Sequence, residues 1–466
     1  MRLGRNAARV LAQAAVLVAL VPVPGSGAHA QSAGPAAVDA IASRSDAVSR
    51  ADLQARQSEL LGVMLRDPSN LDIAFEYATV SAALGDYEAA IGTFERMLIY
   101  APGLPRIQLE LGVLYFRLGS FDAARSYFQS ALQADNVPPE VAERVNTFLT
   151  AIDTAENPAK FTATVMTGIR WQSNANAGPG GRQVTLNGLP FLLDDTAIGR
   201  PDWNVFIAGN AHFAYDLGNQ GDLLEADLLF YGGRYFDATR LDTELAELTF
   251  GPSFNLARFN IDNARIGFYG IAGGVRLDDA NYSGALGFGT RFAIQPDSRT
   301  ALTSKLEYRR RWYRDTATYP TVSNRDGYQI AGQTTYAYAF DRNWSFRGFV
   351  MGDYEQAAAH FEESWELGAG IGATYRFASP VAALSGAWSL DAETGYIRRE
   401  YRAPDPSVNP SSAETDNEFW LRGGLTVPIR SDIAVALTTE FRRLQSNYPT
   451  RDYSNTSVMM SVVKAF

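Results

Sequence analysis

The sequence predicts an α + β chain in two parts: a short α-solenoid of helical repeats, then a 14-stranded antiparallel β-barrel that spans a membrane. Three observations carry this expectation. The chain opens on an export segment, and it repeats itself at an interval of 34 residues upstream of residue 157. Downstream, the hydrophobic period falls from the helical value of about 3.6 to the strand value of about 2.

Composition sets the outer limits. The chain has 466 residues, 46% hydrophobic and 12% aromatic, which is too apolar for a disordered polypeptide. Its net charge is −10, and no segment beyond the N-terminus is basic, so a nucleic-acid partner has no electrostatic footprint. The chain has no Cys. This excludes disulfides, thiol nucleophiles, Cys-ligated zinc and a lipidated cysteine.

Arg2, Arg5 and Arg9 precede an apolar run over 10–23, followed by Pro24, Gly25 and the small-residue site Ala28-His29-Ala30. This is the plan of a secretory signal peptide cleaved after Ala30, and the run is shorter than the roughly 20 residues a spanning helix needs. Residues 31–50 are Ala/Ser-rich and expected to be a flexible lead.

In the repeat region, Ala78, Leu84, Gly85, Tyr87, Ala90 and Phe94 fall opposite Gly112, Leu118, Gly119, Phe121, Ala124 and Phe128. Pro68 and Pro102 share the interval. Small residues at helix crossings, with Pro at the unit boundary, resemble the tetratricopeptide repeat. Two units are expected at 71–103 and 104–137, with an upstream helix over 52–66 and a cap helix over 138–156, making a domain of 51–156. Tyr77, Ser81, Gln108, Leu111 and Tyr115 are expected to line its concave face and are the candidate cargo contacts.

From 161 to 466, apolar residues occupy every second position. Ile433, Val435, Leu437 and Phe441 alternate with Ala434, Ala436, Thr438, Glu440 and Arg442. Fourteen such runs start near 161, 204, 222, 242, 262, 283, 299, 325, 342, 363, 385, 415, 431 and 451. Connections 172–203, 314–324 and 402–414 are long, whereas those at Asp341 and Arg430 are tight, so long loops gather at one end and short turns at the other. All 7 Trp lie in this region. Trp365 with Tyr375 and Phe377, and Trp344 with Tyr354, bracket apolar stripes as interfacial girdles do. The last strand presents Val458, Met460, Val462, Lys464 and Phe466 outward, with Lys464 expected to snorkel. The C-terminal aromatic, Phe466, resembles the signal read by the bacterial barrel-assembly machinery.

Catalytic chemistry finds little support. Of three His, His29 leaves with the signal peptide, His360 is expected in a short loop, and His212, expected in the lumen, lies roughly 13 Å from Asp216 along one strand face, too far for a dyad. Acidic pairs Asp194-Asp195, Asp278-Asp279 and Glu362-Glu363 are expected in solvated loops. The chain is read as a non-enzyme without cofactor or metal. Glu307, Arg309, Arg311, Arg376, Glu393 and Arg422 are expected in the barrel lumen, among a mixed-sign set that pairs across strands or serves a passing cargo.

The whole plan is similar to the surface lipoprotein assembly modulator (Slam, type XI secretion) family. The resemblance is most specific at the junction, where Phe148-Leu149-Thr150-Ala151-Ile152 ends the last helix and a strand runs into Gln172-Ser173-Asn174-Ala175-Asn176-Ala177-Gly178-Pro179. Ala175 stands where the family often has Val or Ile. The resemblance implies an outer-membrane factor that delivers lipoproteins or secreted proteins to the cell surface, with its repeats in the periplasm. The partners implied are protein cargo, the barrel-assembly machinery and outer-membrane lipids. Two other readings stay open: an exopolysaccharide-export porin on a periplasmic scaffold, and a structural porin or adhesin.

Overall fold

The computed structural model describes residues 50–134, 137–384 and 386–466. The expected signal peptide and all of the lead but Arg50 lie outside the described residues. The chain divides into a helical unit up to Asn157 and a barrel unit from Pro158.

Among the described residues the helical unit has six helices: α1 Arg50–Arg66, α2 Leu71–Leu84, α3 Tyr87–Tyr100, α4 Pro105–Arg117, α5 Phe121–Gln133 and α6 Pro139–Glu156. Each repeat closes its first helix the same way. Gly85 and Gly119 adopt left-handed φ of 85° and 74°, and Asp86 N–H and Ser120 N–H reach back to the carbonyls of Ser81 and Tyr115 at 2.9 and 3.0 Å. A β-carbon would be strained at both glycines. Asn70 and Asp86 then cap α2 and α3 by accepting from Ile73 and Ala89 N–H, each at 3.2 Å. Ala78, Ala90 and Ala124 are fully buried. A β-carbon at Gly112 would sit 2.4 Å from the Phe128 ring, so the second pair of helices packs by inserting that ring where no side chain exists. Phe128 also stacks on Phe148 of α6, with centroids 5.2 Å apart. No helix among the described residues is long and apolar enough to cross a membrane.

The barrel unit closes fourteen antiparallel strands. They are β1 Ala159–Gln172, β4 Asp202–Asp216, β5 Leu223–Tyr235, β6 Thr243–Asn255, β7 Ala264–Leu277, β8 Ala280–Ile294, β9 Thr300–Tyr313, β10 Gly327–Ala339, β11 Trp344–Ala357, β12 Ser364–Phe377, β13 Trp388–Tyr401, β14 Thr415–Pro428, β15 Ile433–Ser446 and β16 Tyr453–Ala465. A small hairpin, β2 Gln183–Leu186 and β3 Leu189–Leu192, interrupts the connection between β1 and β4. Neighbours in sequence are neighbours in the wall, and β16 returns to β1. Closure gives every strand a partner on both sides, which a spanning sheet requires because lipid offers no hydrogen bonds.

One parity of each strand is apolar and exposed: Leu286 and Phe288 on β8, Leu367 and Ile371 on β12, Val458, Met460 and Val462 on β16. This is the lipid-facing belt of a transmembrane barrel. Trp344 meets Tyr375 at 4.7 Å within one of its girdles. Lys464 does not snorkel freely. Its Nζ lies 2.5 Å from Asp432 in the β14–β15 turn and 4.9 Å from the Phe466 ring centre, because the turn brings an acid beneath it.

The expected segregation of long and short connections is incomplete. Connections 173–201, 314–326 and 402–414 share one end of the barrel, but that end also holds the two-residue turn Asp278-Asp279. Both of these aspartates have positive φ, 53° and 55°, the backbone of a tight hairpin of the mirror-image type. The opposite end includes the longer connection 378–387.

Candidate functional site: the barrel lumen and its inward loop

The inward parity of the strands divides the lumen into two surfaces. One is an apolar patch on β1, β4, β5, β15 and β16, where Met166, Phe206, Tyr231, Ala436, Met459 and Val463 form one buried cluster. Outside that patch, on β15 as on its neighbours, the lumen is charged and paired. Glu393 receives both Arg347 and Arg422, Arg422 also reaches Glu440 at 2.5 Å, Glu440 meets Arg442 at 3.0 Å, and Arg442 bonds Glu418. Arg309 lies 2.8 Å from Glu307 and 3.0 Å from Glu247, and Arg311 and Arg325 share Glu355. Charges so enclosed persist only when paired and hydrogen-bonded. A recess of about 570 Å³ opens among Glu247, Lys305, Arg309, Gln329, Asp353 and Glu366.

Of the six residues expected in the lumen, Glu307, Arg309, Arg311, Glu393 and Arg422 belong to these networks. Arg376 is inward by parity but exposed near the strand end, and it forms no ion pair among the described residues.

His212 does have a carboxylate partner, though not Asp216. Asp227 stands directly across on β5, its Oδ1 2.6 Å from His212 Nδ1, and Arg291 approaches its other oxygen at 2.8 Å. Distance along one strand hid a partner that register supplies from the next. Thr249 Oγ1 donates to Asp227 Oδ2 at 3.2 Å, and among the described residues no serine or threonine hydroxyl bonds His212 itself. Nor do the described residues contain a group of three or more acids and histidines placed to hold a metal. The acidic loop pairs have structural work: Asp194 accepts from Thr196 N–H at 2.8 Å, and Glu363 accepts from Tyr354 at 2.5 Å and Arg402 at 2.7 Å.

The connection after β1 turns inward. Ala177 packs on the lumen-facing Leu444 and Tyr453, and Ala175 packs beside Tyr235 and Leu241. The Gln-Ser-Asn-Ala-Asn run makes this possible by replacing a strand's backbone partners with side-chain amides. Asn174 Nδ2 donates to the Gly178 carbonyl at 2.8 Å, while its Oδ1 accepts from Gly178 N–H at 3.0 Å. Asn176 Nδ2 donates to the Ile198 carbonyl at 2.7 Å. Across the closing seam, Asn174 N–H donates to Asn455 Oδ1 at 3.0 Å, and Thr456 N–H donates to Ser173 Oγ at 2.8 Å. Arg170, one turn of pleat earlier, is buried with its Nε on Asn204 Oδ1 at 3.1 Å. Sequence reasoning missed Arg170, Asn204 and Asn455; the polar cluster in the loop after β1 was the one available signal.

In the helical unit the expected cargo face needs correction. Ser81 and Leu111 have no exposure and Tyr77 has 8%, so these three are core residues. Gln57 of α1 donates to Ser81 Oγ and Asp86 Oδ2 at 3.0 Å, and Leu60 and Met64 of α1 join Tyr77 and Leu111 in one core. Gln108 and Tyr115 remain half-buried. Tyr115 stacks on Tyr127 at 5.4 Å, and both hydroxyls donate to Glu95, at 3.0 and 3.2 Å. Burial and the Glu95 charge push the Tyr127 hydroxyl up to about 12, so both tyrosines stay neutral donors.

Comparisons with known proteins bear on the helical unit through one family profile. The tetratricopeptide-repeat family profile matches residues 77–139. Among curated proteins none matches the chain. Among solved structures, a bacterial polysaccharide outer membrane secretin is similar at 11% identity over 65% of this chain and 98% of that one, with TM-score 0.34. A Pseudomonas aeruginosa FadL homologue is similar at 12% identity over 68% and 93%, with TM-score 0.37. The Yersinia enterocolitica type III secretion chaperone SycD, in complex with a peptide of the translocator YopD, is similar at 18% over 22% and 82%, with TM-score 0.21. These distant likenesses say nothing of activity. The chain is an outer-membrane-type β-barrel carrying a tetratricopeptide-repeat domain.

Proposed function

We propose that this protein is an outer-membrane delivery factor whose repeats hold a protein client in the periplasm while the barrel brings it to the cell surface. The clients are surface lipoproteins or secreted proteins, as the resemblance to the Slam family implies. The carrying observation is the covalent union of a tetratricopeptide array with a transmembrane barrel. Tethering raises the effective concentration of a weakly held client at the barrel, so the array needs no high affinity.

The rim available to a client is Gln108, Tyr115, Tyr127 and Glu95, which offers amide, aromatic and carboxylate groups suited to an extended polypeptide; Tyr77, Ser81 and Leu111 brace it from beneath. The balanced charge of the lumen favours a protein client over an acidic polysaccharide, for which a one-sided basic wall would be expected. Phe466 is the residue proposed to engage the barrel-assembly machinery.

Deletion of residues 31–156 tests the proposal. A folded barrel is expected, with clients missing from the surface when the surface proteomes of the two strains are compared. Truncated protein that folds and still exposes clients at wild-type levels would overturn the role of the array. Loss of surface polysaccharide with client exposure unchanged would favour the exporter reading instead.

A further inference from the structure

The outward wall between β8 and β12 differs from the rest of the belt in its cation. The outward-facing strand cations Arg234, Arg276, Arg398, Arg443 and Lys464 each have an acidic partner, at 2.5 or 2.6 Å. Arg310 on β9 is exposed and has none among the described residues. Its cross-strand neighbours are Leu286 on β8 and Tyr328 on β10. A lipid-facing arginine costs about 2–4 kcal/mol at the bilayer midplane and about 0–1 kcal/mol near the interface. Such an arginine is at rest only where an anion can reach it.

Below Arg310 runs a ribbon of rings. Phe288 stacks on Tyr308 at 5.3 Å, and Tyr308 on Tyr328 at 5.7 Å. Further down, the same sector is hollowed into a recess of about 540 Å³, with Gly332 and Gly352 at its floor and Leu306, Val350 and Leu367 at its sides. Of the hydroxyls that line it with Thr290, Ser304 and Thr334 bond each other at 2.8 Å and so need nothing from lipid. Ser304 lies six residues from Arg310, roughly 20 Å along the strand and, at a tilt near 40°, roughly 15 Å in depth. That is about one leaflet of a hydrocarbon core of ~30 Å.

We propose that this sector is a seat for one phosphorylated glycolipid of the outer leaflet. Its phosphate takes a bidentate bond from the Arg310 guanidinium, its sugars lie on the aromatic ribbon, and an acyl chain fills the recess. The choice of leaflet rests on the outer-membrane reading above, with loops 173–201 and 402–414 at the exterior end. The seat does not require that the protein deliver clients.

Full-length protein extracted from outer membranes in mild detergent and weighed by native mass spectrometry tests this, with lipid A as the probe. Wild type is expected to retain about one lipid A; Arg310→Gln should retain at least about fivefold less, Gly332→Val should also lose it, and Arg310→Lys should fall between Gln and wild type. Arg398→Gln, whose arginine already has Glu400, should keep it. Heat-modifiable migration shows that each variant is folded. Equal retention by folded Arg310→Gln and wild type overturns the seat, as does retention of glycerophospholipid alone. Because client exposure is not measured, failure here is separate from failure of the delivery role.

Discussion

Two glycines of the helical unit show how much one β-carbon decides. At Gly112 an added methyl meets the Phe128 ring at 2.4 Å, whereas at Gly92 it meets nothing within 4 Å. Overpacking costs about 1–3 kcal/mol and relief of a mid-helix glycine is worth about 0.5–1 kcal/mol. Gly112→Ala should therefore lower the melting of the helical circular-dichroism signal, and Gly92→Ala should raise it; the reverse order would refute the packing described. Glu363 gives a titration to follow. Burial alone would raise this carboxyl, but bonds from Tyr354, Arg402 and His360 hold it below the ordinary carboxylate range. A group lowered on folding contributes stability above its unfolded pKa, and that contribution fades as pH falls through the folded value. The clamp between 358–363 and 402–414 should then persist at mildly acidic pH and fail only in stronger acid. Limited proteolysis of 402–414 reads this: Glu363→Gln should be cut faster at pH 7 and show a flatter dependence on pH.

The two kinds of element were unequally legible. The 34-residue interval placed Ala78, Gly112, Ala90 and Ala124 at helix crossings, because a crossing tolerates only small side chains and so leaves a pattern. All fourteen strands were legible to within a few residues, since lipid on one side and water on the other force strict alternation. What failed depended on a second element. Ser81 read as a binding face until Gln57 of α1 covered it, and Leu111 until it joined the core between helices, and Asp227 was invisible from His212 because register across a sheet is not written in either strand alone. The turn at Asp278-Asp279 escaped because two aspartates are not the Asn-Gly usually found there. At the last strand, Phe466 N–H donates to the Ala163 carbonyl at 2.8 Å while its ring stays exposed. Deleting Phe466 removes a rung of the seam and a girdle aromatic together, whereas Lys464→Ala removes one rim ion pair, worth about 0–1 kcal/mol. Folded, heat-modifiable barrel should fall severalfold in the first case and by little in the second; equal levels would remove the special standing of the final residue.

At the level of the whole molecule, strand parity places Ser411 and Ser431 at opposite ends of the barrel. With no native thiol to interfere, a cysteine at Ser411 should label on intact cells and one at Ser431 only after lysis; the opposite pattern would invert the proposed topology. The seam between first and last strands has a further bearing on how the wall forms. β1 pairs with β4 along its whole length, from Ala159↔Tyr215 to Gln172↔Asp202, but with β16 only from Thr164↔Ala465 to Gln172↔Ser457. It is also the most non-local pairing in the chain, and contacts of that kind form slowly. Until it forms, β1 and β16 are bare edges, and a one-residue slip there would turn a strand's apolar row inward. Ser173 and Asn174 already hold Asn455 and Thr456 just beyond the last paired rung. They act as a zipper's stop: strand sixteen can dock in only one alignment that satisfies both. The run from Gln172 to Asn176 thus works as a gauge for closing the cylinder, and a substitution there should yield chains trapped as open sheets, even where the finished wall would have tolerated it.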